Sequence, residues 1–189
     1  PKLTGGHNGN RWSKIHLAEP MPNPVMEEPI RRLLGLTKNQ FEKVLSGEEQ
    51  ITVGDMKQTG PSAIAKALKA INLDREIALA RAQIAGSRKT ARDQAIRKLG
   101  YLKSAKVLGI HPGEWVLDNV PVLPPRFRPV SVMQDSKRPL VSDANFLYKE
   151  LIDANNNLRE MAKEVDDVSA ERLNLYRSFK AVTGLGDPL

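Results

Sequence analysis

The chain is 189 residues long, 40% hydrophobic but only 5% aromatic, and its 29 Lys and Arg against 22 Asp and Glu leave a formal net charge of +7. With no cysteine there can be no disulfide, thiolate metal site or cysteine nucleophile, and the three separated histidines His7, His16 and His111 do not make a zinc site. The length suits one domain or two small ones, and a pI near 9.7 points to a polyanionic partner, nucleic acid above all. No apolar run approaches the roughly 20 residues that a bilayer-spanning helix needs, and no signal peptide opens the sequence, so a soluble, intracellular protein is expected. A first residue that is proline rather than methionine leads us to expect a processed product or a piece of something longer.

Residues 1–29 are rich in Gly, Asn and Pro, and Pro20-Met21-Pro22-Asn23-Pro24 excludes regular helix. Lys14 to Glu19 alternates polar with apolar and predicts a short strand. Pro29 is placed to open a short helix carrying Ile30, Leu33 and Leu34. Thr37 and Gln40 have the spacing of a capping box, Phe41, Val44 and Leu45 then share a face, and Gly47 stops the helix. Thr59-Gly60-Pro61 starts a third helix with Ile64, Leu68 and Ile71 as its stripe. Two longer helical stretches, Asp74 to Ala85 and Ser87 to Leu108, are punctuated by Gly86. The second sets Arg88, Lys89, Arg92, Arg97, Lys98, Lys103 and Lys106 around Ala95, Leu99, Leu102 and Val107. Such a run is read as a solvated face, with phosphate contact as the functional alternative.

The texture then changes. Glu114 to Val122 is rich in Val, Leu and Trp and predicts a strand. Pro121, Pro124, Pro125 and Pro129, interleaved with Arg126, Phe127 and Arg128, predict an extended connector. Residues 131–142 read as a polar loop with Gln134, Asp135, Lys137 and Arg138. From Ser142, a possible cap, Leu147, Leu151, Ala154, Leu158, Met161 and Val165 recur at alternating steps of four and three, the seam of a coiled coil. Asp166-Asp167-Val168 breaks the pattern, Ser169 can cap a second helix, and Leu175, Phe179 and Val182 continue it to Gly184. The result is an antiparallel helical hairpin whose first arm is about 30 Å long. Asn155, Asn156, Arg159 and Glu171 fall off the seam. The fold class is mainly α with a small β component.

Catalytic motifs are not evident. Gly5-Gly6-His7-Asn8-Gly9 lacks the Lys-Ser/Thr of a phosphate loop, and reads as a turn. Glu27-Glu28 and Asp166-Asp167 are outside any acidic metal array and read as a solvated helix start and a hairpin tip. No Ser/His/Asp constellation can be assembled, so no catalytic residue and no metal ligand is assigned in this chain.

Two motifs carry a resemblance. Glu114-Trp115-Val116-Leu117-Asp118 leads to Val122-Leu123-Pro124-Pro125-Arg126-Phe127-Arg128-Pro129, and Ser142-Asp143-Ala144-Asn145-Phe146-Leu147-Tyr148 follows, with Asn155-Asn156 inside Ile152 to Leu158. Together they resemble the clamp of the bacterial RNA polymerase β′ subunit. Trp12 to Pro20, Ile30 to Leu45 and Gly60 to Leu73 fit the same family in the same order. The resemblance covers nearly the whole chain, and the pairing of the two motifs is highly specific.

The resemblance implies a clamp body over residues 1–130, which would help to enclose DNA. It implies a lid over 131–142 beside the upstream end of the RNA–DNA hybrid, and clamp helices over 143–183 that dock an initiation sigma factor. Residues 184–189 would connect to a catalytic domain outside this sequence. It further implies nucleic-acid contacts at Arg126, Arg128, Gln134, Lys137 and Arg138, and factor contacts at Asn155, Asn156, Arg159 and Glu171. The partners implied are β-like and remaining β′-like subunits, template DNA, the transcript and a sigma-like factor, with no membrane. Nucleotidyl transfer and its Mg²⁺ would belong to another part of the enzyme. The implied location is the cytoplasm, at the nucleoid, or the host cytoplasm or virion if a phage encodes the chain.

The sequence departs from the family pattern at three points: it lacks the cysteines of a zinc ribbon, it has Gln134-Asp135-Ser136-Lys137 where the lid usually has Gly-Gly, and Ala154 stands where an arginine is common. A divergent viral or split polymerase is the expected source. The alternatives are a free-standing regulator that mimics the clamp helices to bind a sigma-like factor, and a basic DNA-binding protein unrelated to transcription.

Overall fold

The computed structural model describes residues 9–132 and 139–188. The chain forms two compact units: one is Glu19–Leu117, and the other joins the residues up to Ala18 with those from Asp118 onward. The stretch 1–130 therefore contributes to both. Among the described residues there are seven α-helices and three two-stranded sheets, so the fold is mainly α with a small β component.

Strand β1 (Ser13–Pro22) pairs with β4 (Val116–Val122). β1 runs three residues past the expected Lys14 to Glu19, through Pro20 and Pro22. Prolines are admissible there because each strand of a two-stranded sheet has a free edge, where a missing N–H breaks no ladder.

In the unit Glu19–Leu117, helix α1 (Glu27–Leu34) opens with Glu27 and Glu28 and closes with Arg31 and Arg32, which complements its dipole. The pairs Glu27–Arg31 and Glu28–Arg32, each 3.6 Å apart, add i,i+4 attraction. Helix α2 (Lys38–Ser46) has the expected capping box: Gln40 N–H donates to Thr37 Oγ1 at 3.2 Å and Thr37 N–H to Gln40 Oε1 at 3.0 Å. Gly47, at φ 109, ends it.

An antiparallel pair that the sequence reading missed follows, β2 (Ile51–Val53) with β3 (Met56–Gln58), in register Ile51 to Gln58. Three residues per strand are too few for alternation to be visible. Its two-residue turn has Gly54 at φ 62, a conformation that glycine adopts without strain. Helix α3 (Gly60–Lys69) carries Pro61 in its first turn and buries Ala63, Ile64, Ala65 and Leu68. These join Met21, Ile30, Phe41, Val44, Leu45 and Leu102 in the buried apolar core of this unit.

Helices α4 (Leu73–Gly86) and α5 (Lys89–Leu108) pack on each other, α4 capped by Asn72, whose Oδ1 accepts from Arg75 N–H. Lys98–Glu76, at 2.8 Å, and Lys106–Asp74 tie them. Val107, expected in the buried stripe, is 86% exposed, because the inward position of that turn is taken by Ala105. After α5, His111 Nδ1 accepts from Gly113 N–H at 3.1 Å while Nε2 faces Ile71 O at 2.9 Å. A carbonyl can only accept and an amide N–H only donate, so these neighbours specify the Nε2–H tautomer. His111 is thereby a structural residue.

In the other unit, residues 131–142 are not wholly loop as expected. β5 (Val130–Val132) and β6 (Pro139–Val141) form an antiparallel ribbon, with Val130 opposite Val141. Helix α6 (Asp143–Glu164) and helix α7 (Ser169–Val182) follow, packed together across a short connection that makes them antiparallel. Leu151, Leu158, Leu175 and Phe179 are buried as the seam required, whereas Val165 caps α6 at 42% exposure and ends the stripe.

Replacing Thr37 by Ala removes one half of the α2 capping box. The expected loss is about 1 kcal/mol of stability in urea titrations, with the m-value unchanged.

Candidate functional site

The proline-rich connector and the start of α6 meet in one polar cluster. Pro124, Pro125 and Pro129 have no N–H, and the chain here makes a 3-10 turn at Pro125–Phe127 instead of a ladder. Its polar backbone groups must find partners among side chains. Arg128 Nε donates to Leu123 O at 2.8 Å, and one terminal nitrogen donates to Asn145 Oδ1 at 2.7 Å. Asn145 Nδ2 in turn donates to Arg128 O at 2.9 Å. The Tyr148 hydroxyl accepts from Leu123 N–H at 3.1 Å and donates to Pro121 O at 3.4 Å. The Arg128 guanidinium also lies 5.9 Å from the centre of the Tyr148 ring, within cation–π range.

Of the nucleic-acid contacts suggested by sequence, Arg128 is thus partly buried, with its guanidinium engaged inside the cluster. Arg126 is exposed; its N–H donates to Gly9 O at 3.0 Å, and its guanidinium reaches Asn10 Oδ1 at 3.5 Å. Gln134, Lys137 and Arg138 lie outside the described residues. Asn145 and Tyr148 were legible only as motif letters, and nothing in their spacing announced that they would hold the proline segment.

A second cluster joins α6 to β1. Asn155 is 2% exposed, so the expectation that it lies on an open face is overturned. Its Oδ1 accepts from Ala18 N–H at 2.7 Å and its Nδ2 donates to His16 O at 2.9 Å, as a neighbouring strand would. The reason is that α6 buries two faces, one on α7 and another on β1, and the heptad pattern reports only the first. One turn later Arg159, exposed, donates to His16 O at 2.5 Å. Asn156 is exposed, and Glu171 is half-buried in the first turn of α7. The four expected factor contacts therefore divide into one buried strut and three residues that reach the surface.

At the hairpin turn, Ser169 N–H donates to Asp167 Oδ1 at 3.0 Å and the Ser169 hydroxyl donates to the same oxygen. The hydroxyl bond first, and the backbone bond second, hold the Asp167 carboxyl below the usual carboxylate range. On the outer side of α6, the hydrogen bond from Lys149 Nζ to Asp153 at 2.7 Å raises the lysine pKa. Among the described residues no group of three or more His, Asp or Glu side chains could hold a metal ion, and no helix is long and apolar enough to cross a membrane.

Two outcomes are expected. Asn155→Ala leaves His16 O and Ala18 N–H without their side-chain partners and should cost about 1–3 kcal/mol in urea unfolding, while the exposed Asn156→Ala stays within about 0.5 kcal/mol. For Asp167 the folded pKa is the depressed one, so its small contribution is present above the ordinary aspartate range and lost as pH falls through the lower folded value. A carboxyl-carbon NMR titration should place its midpoint below that of an unstructured peptide, and Ser169→Ala should raise it.

No family model matches the chain. It is, however, similar to curated proteins named DNA-directed RNA polymerase subunit beta′: 40% identical over 102 residues to that of Leifsonia xyli subsp. xyli, 35% to that of Bacillus mycoides and 40% to that of Clavibacter sepedonicus. In each case the match covers 54% of this chain and 8% of the relative. Over about half its length, then, the chain is homologous to β′ subunits of DNA-directed RNA polymerase, the family that its two motifs resemble.

Proposed function

We propose that the chain is a non-catalytic clamp part of a multisubunit DNA-directed RNA polymerase. In this reading it helps to enclose DNA and to separate RNA from template, and it docks an initiation factor on α6 and α7. The observation that carries the reading is the bonding of the Leu123–Pro129 segment by Arg128, Asn145 and Tyr148. It joins the two motifs into one structural unit at the base of the hairpin. Similarity to β′ subunits supports the same assignment.

The division of labour follows from the chemistry. The hairpin buries its seam residues Leu151, Leu158, Leu175 and Phe179, while Asn156, Arg159 and Glu171 reach the surface and are available to meet a factor. Arg126, Lys137 and Arg138 supply positive charge for phosphates, a contribution that salt screens strongly. Nucleotidyl transfer, with its Mg²⁺, belongs to another part of the enzyme, and the remaining partners are β-like and β′-like subunits.

Reversing charge at Arg159 and Glu171 together should weaken factor binding about tenfold or more and depress promoter-specific initiation. Elongation from a preformed scaffold should survive, since it needs no initiation factor. Deleting residues 133–139 from the assembled enzyme should leave short-transcript synthesis nearly intact while over-extended RNA–DNA hybrids accumulate. The purified chain alone should make no RNA. Co-purification from the native source with a β-like subunit supports the proposal, whereas recovery with a sigma-like factor alone would favour a free-standing regulator.

A further inference from the structure

In the unit that contains α6 and α7, Phe146 on α6 is 53% exposed, and two further aromatic rings, outside the α-helices, stand still more clear of the core. Trp12 is 63% exposed and Phe127 is 66% exposed. The segments that carry them are fastened together, because Arg126 donates its N–H to Gly9 O and its guanidinium to Asn10 Oδ1. Both segments are cationic. Arg11 and Lys14 flank Trp12, Arg126 and Arg128 flank Phe127, and no Asp or Glu occurs from Gly9 to Lys14 or from Leu123 to Val132. Arg11, Lys14 and Arg126 are exposed, and none is paired with a carboxylate among the described residues.

A bare ring on a surface is a place where something is covered. Exposed rings flanked by cations that form no ion pair, in segments without a carboxylate of their own, have the chemistry that unpaired nucleotides recognise. Bases stack on the rings while phosphates meet the guanidinium and ammonium groups. A duplex offers only its phosphates, since its base faces are already stacked. A protein partner could also cover two rings, but the uninterrupted positive charge favours a polyanion.

We propose that Trp12 and Phe127, with Arg11 and Arg126, form a stacking surface for single-stranded nucleic acid. The proposal rests on the nucleic-acid contact in the proposed function, and adds to it the unpaired strand as ligand and the two rings as what holds it.

The test uses the full chain, with a short fluorescent oligothymidylate, the matching oligouridylate and a duplex of equal length. Single strands should bind more tightly than the duplex and should quench tryptophan emission. The chain has two tryptophans and Trp115 is buried at 8% exposure, so the quenching reports on Trp12. Trp12→Ala and Phe127→Ala, both exposed positions, should each weaken single-strand binding about fivefold or more, with unchanged thermal unfolding. Trp12→Phe should keep the affinity measured by anisotropy yet lose the quenching.

Alanine variants that bind like the parent, or equal affinity for the duplex, would overturn the stacking surface even where the chain still co-purifies with a β-like subunit. Absence of any oligonucleotide binding, together with loss of that co-purification in the alanine variants, would assign the rings to a protein interface and overturn it too. Intact single-strand binding without polymerase subunits would leave the stacking surface standing and overturn the clamp assignment alone.

Discussion

A backbone rich in proline has too few N–H groups to hold itself in a sheet, and its carbonyls still need donors. That constraint governs the unit built around α6. Leu123 O, Arg128 O and Pro121 O are all met by side chains, from Arg128 itself and from Asn145 and Tyr148 in the first and second turns of α6. The connector can therefore be both irregular and fixed. It also means that the two sequence motifs belong to one device, since neither the arginine nor the asparagine has its full set of partners without the other.

The same helix applies this principle a second time at Asn155. A two-stranded sheet leaves backbone groups on its free edges, and β1 is met at His16 and Ala18 by an amide side chain whose donor and acceptor are spaced like those of a peptide. Arg159 adds a second donor to His16 O. α6 thus works as a beam with three uses: one face packs on α7, its first turns fasten the proline segment, and its middle closes a strand edge. What remains for contact with other molecules includes Phe146 and Ile152, exposed on α6, beside Asn156 and the outer charges.

Much of the architecture was legible in the sequence because local rules and tertiary packing agree there. The capping box of α2, the glycine stops and the seam positions Leu151, Leu158, Leu175 and Phe179 are set by spacings of three and four residues. What escaped was set at longer range. Asn155 looked like a surface residue because the heptad register sees only the partner helix, while its second neighbour is a strand far away in sequence. Val107 fits a helical stripe, but in the last turn of α5 the inward position belongs to Ala105. The β2–β3 and β5–β6 ribbons are too short to write a period. Of the candidate site, charge and motif identity were visible, but not which arginine is internal and which is free to meet solvent.

The tie between Asn155 and His16 spans 139 positions of sequence. All of Glu19–Leu117, a compact unit in its own right, intervenes between the two ends of the other unit. In synthesis order β1 precedes α6, so the strand edge at His16 and Ala18 lacks its Asn155 partner until α6 has been made. Closing so long a loop is slow, and a strand left open in the meantime invites pairing with another chain. The contact of α6 with β1 is therefore the costliest of the helix's ties in sequence separation, and any order in the intervening residues that shortens the loop would lower the entropy of closing it.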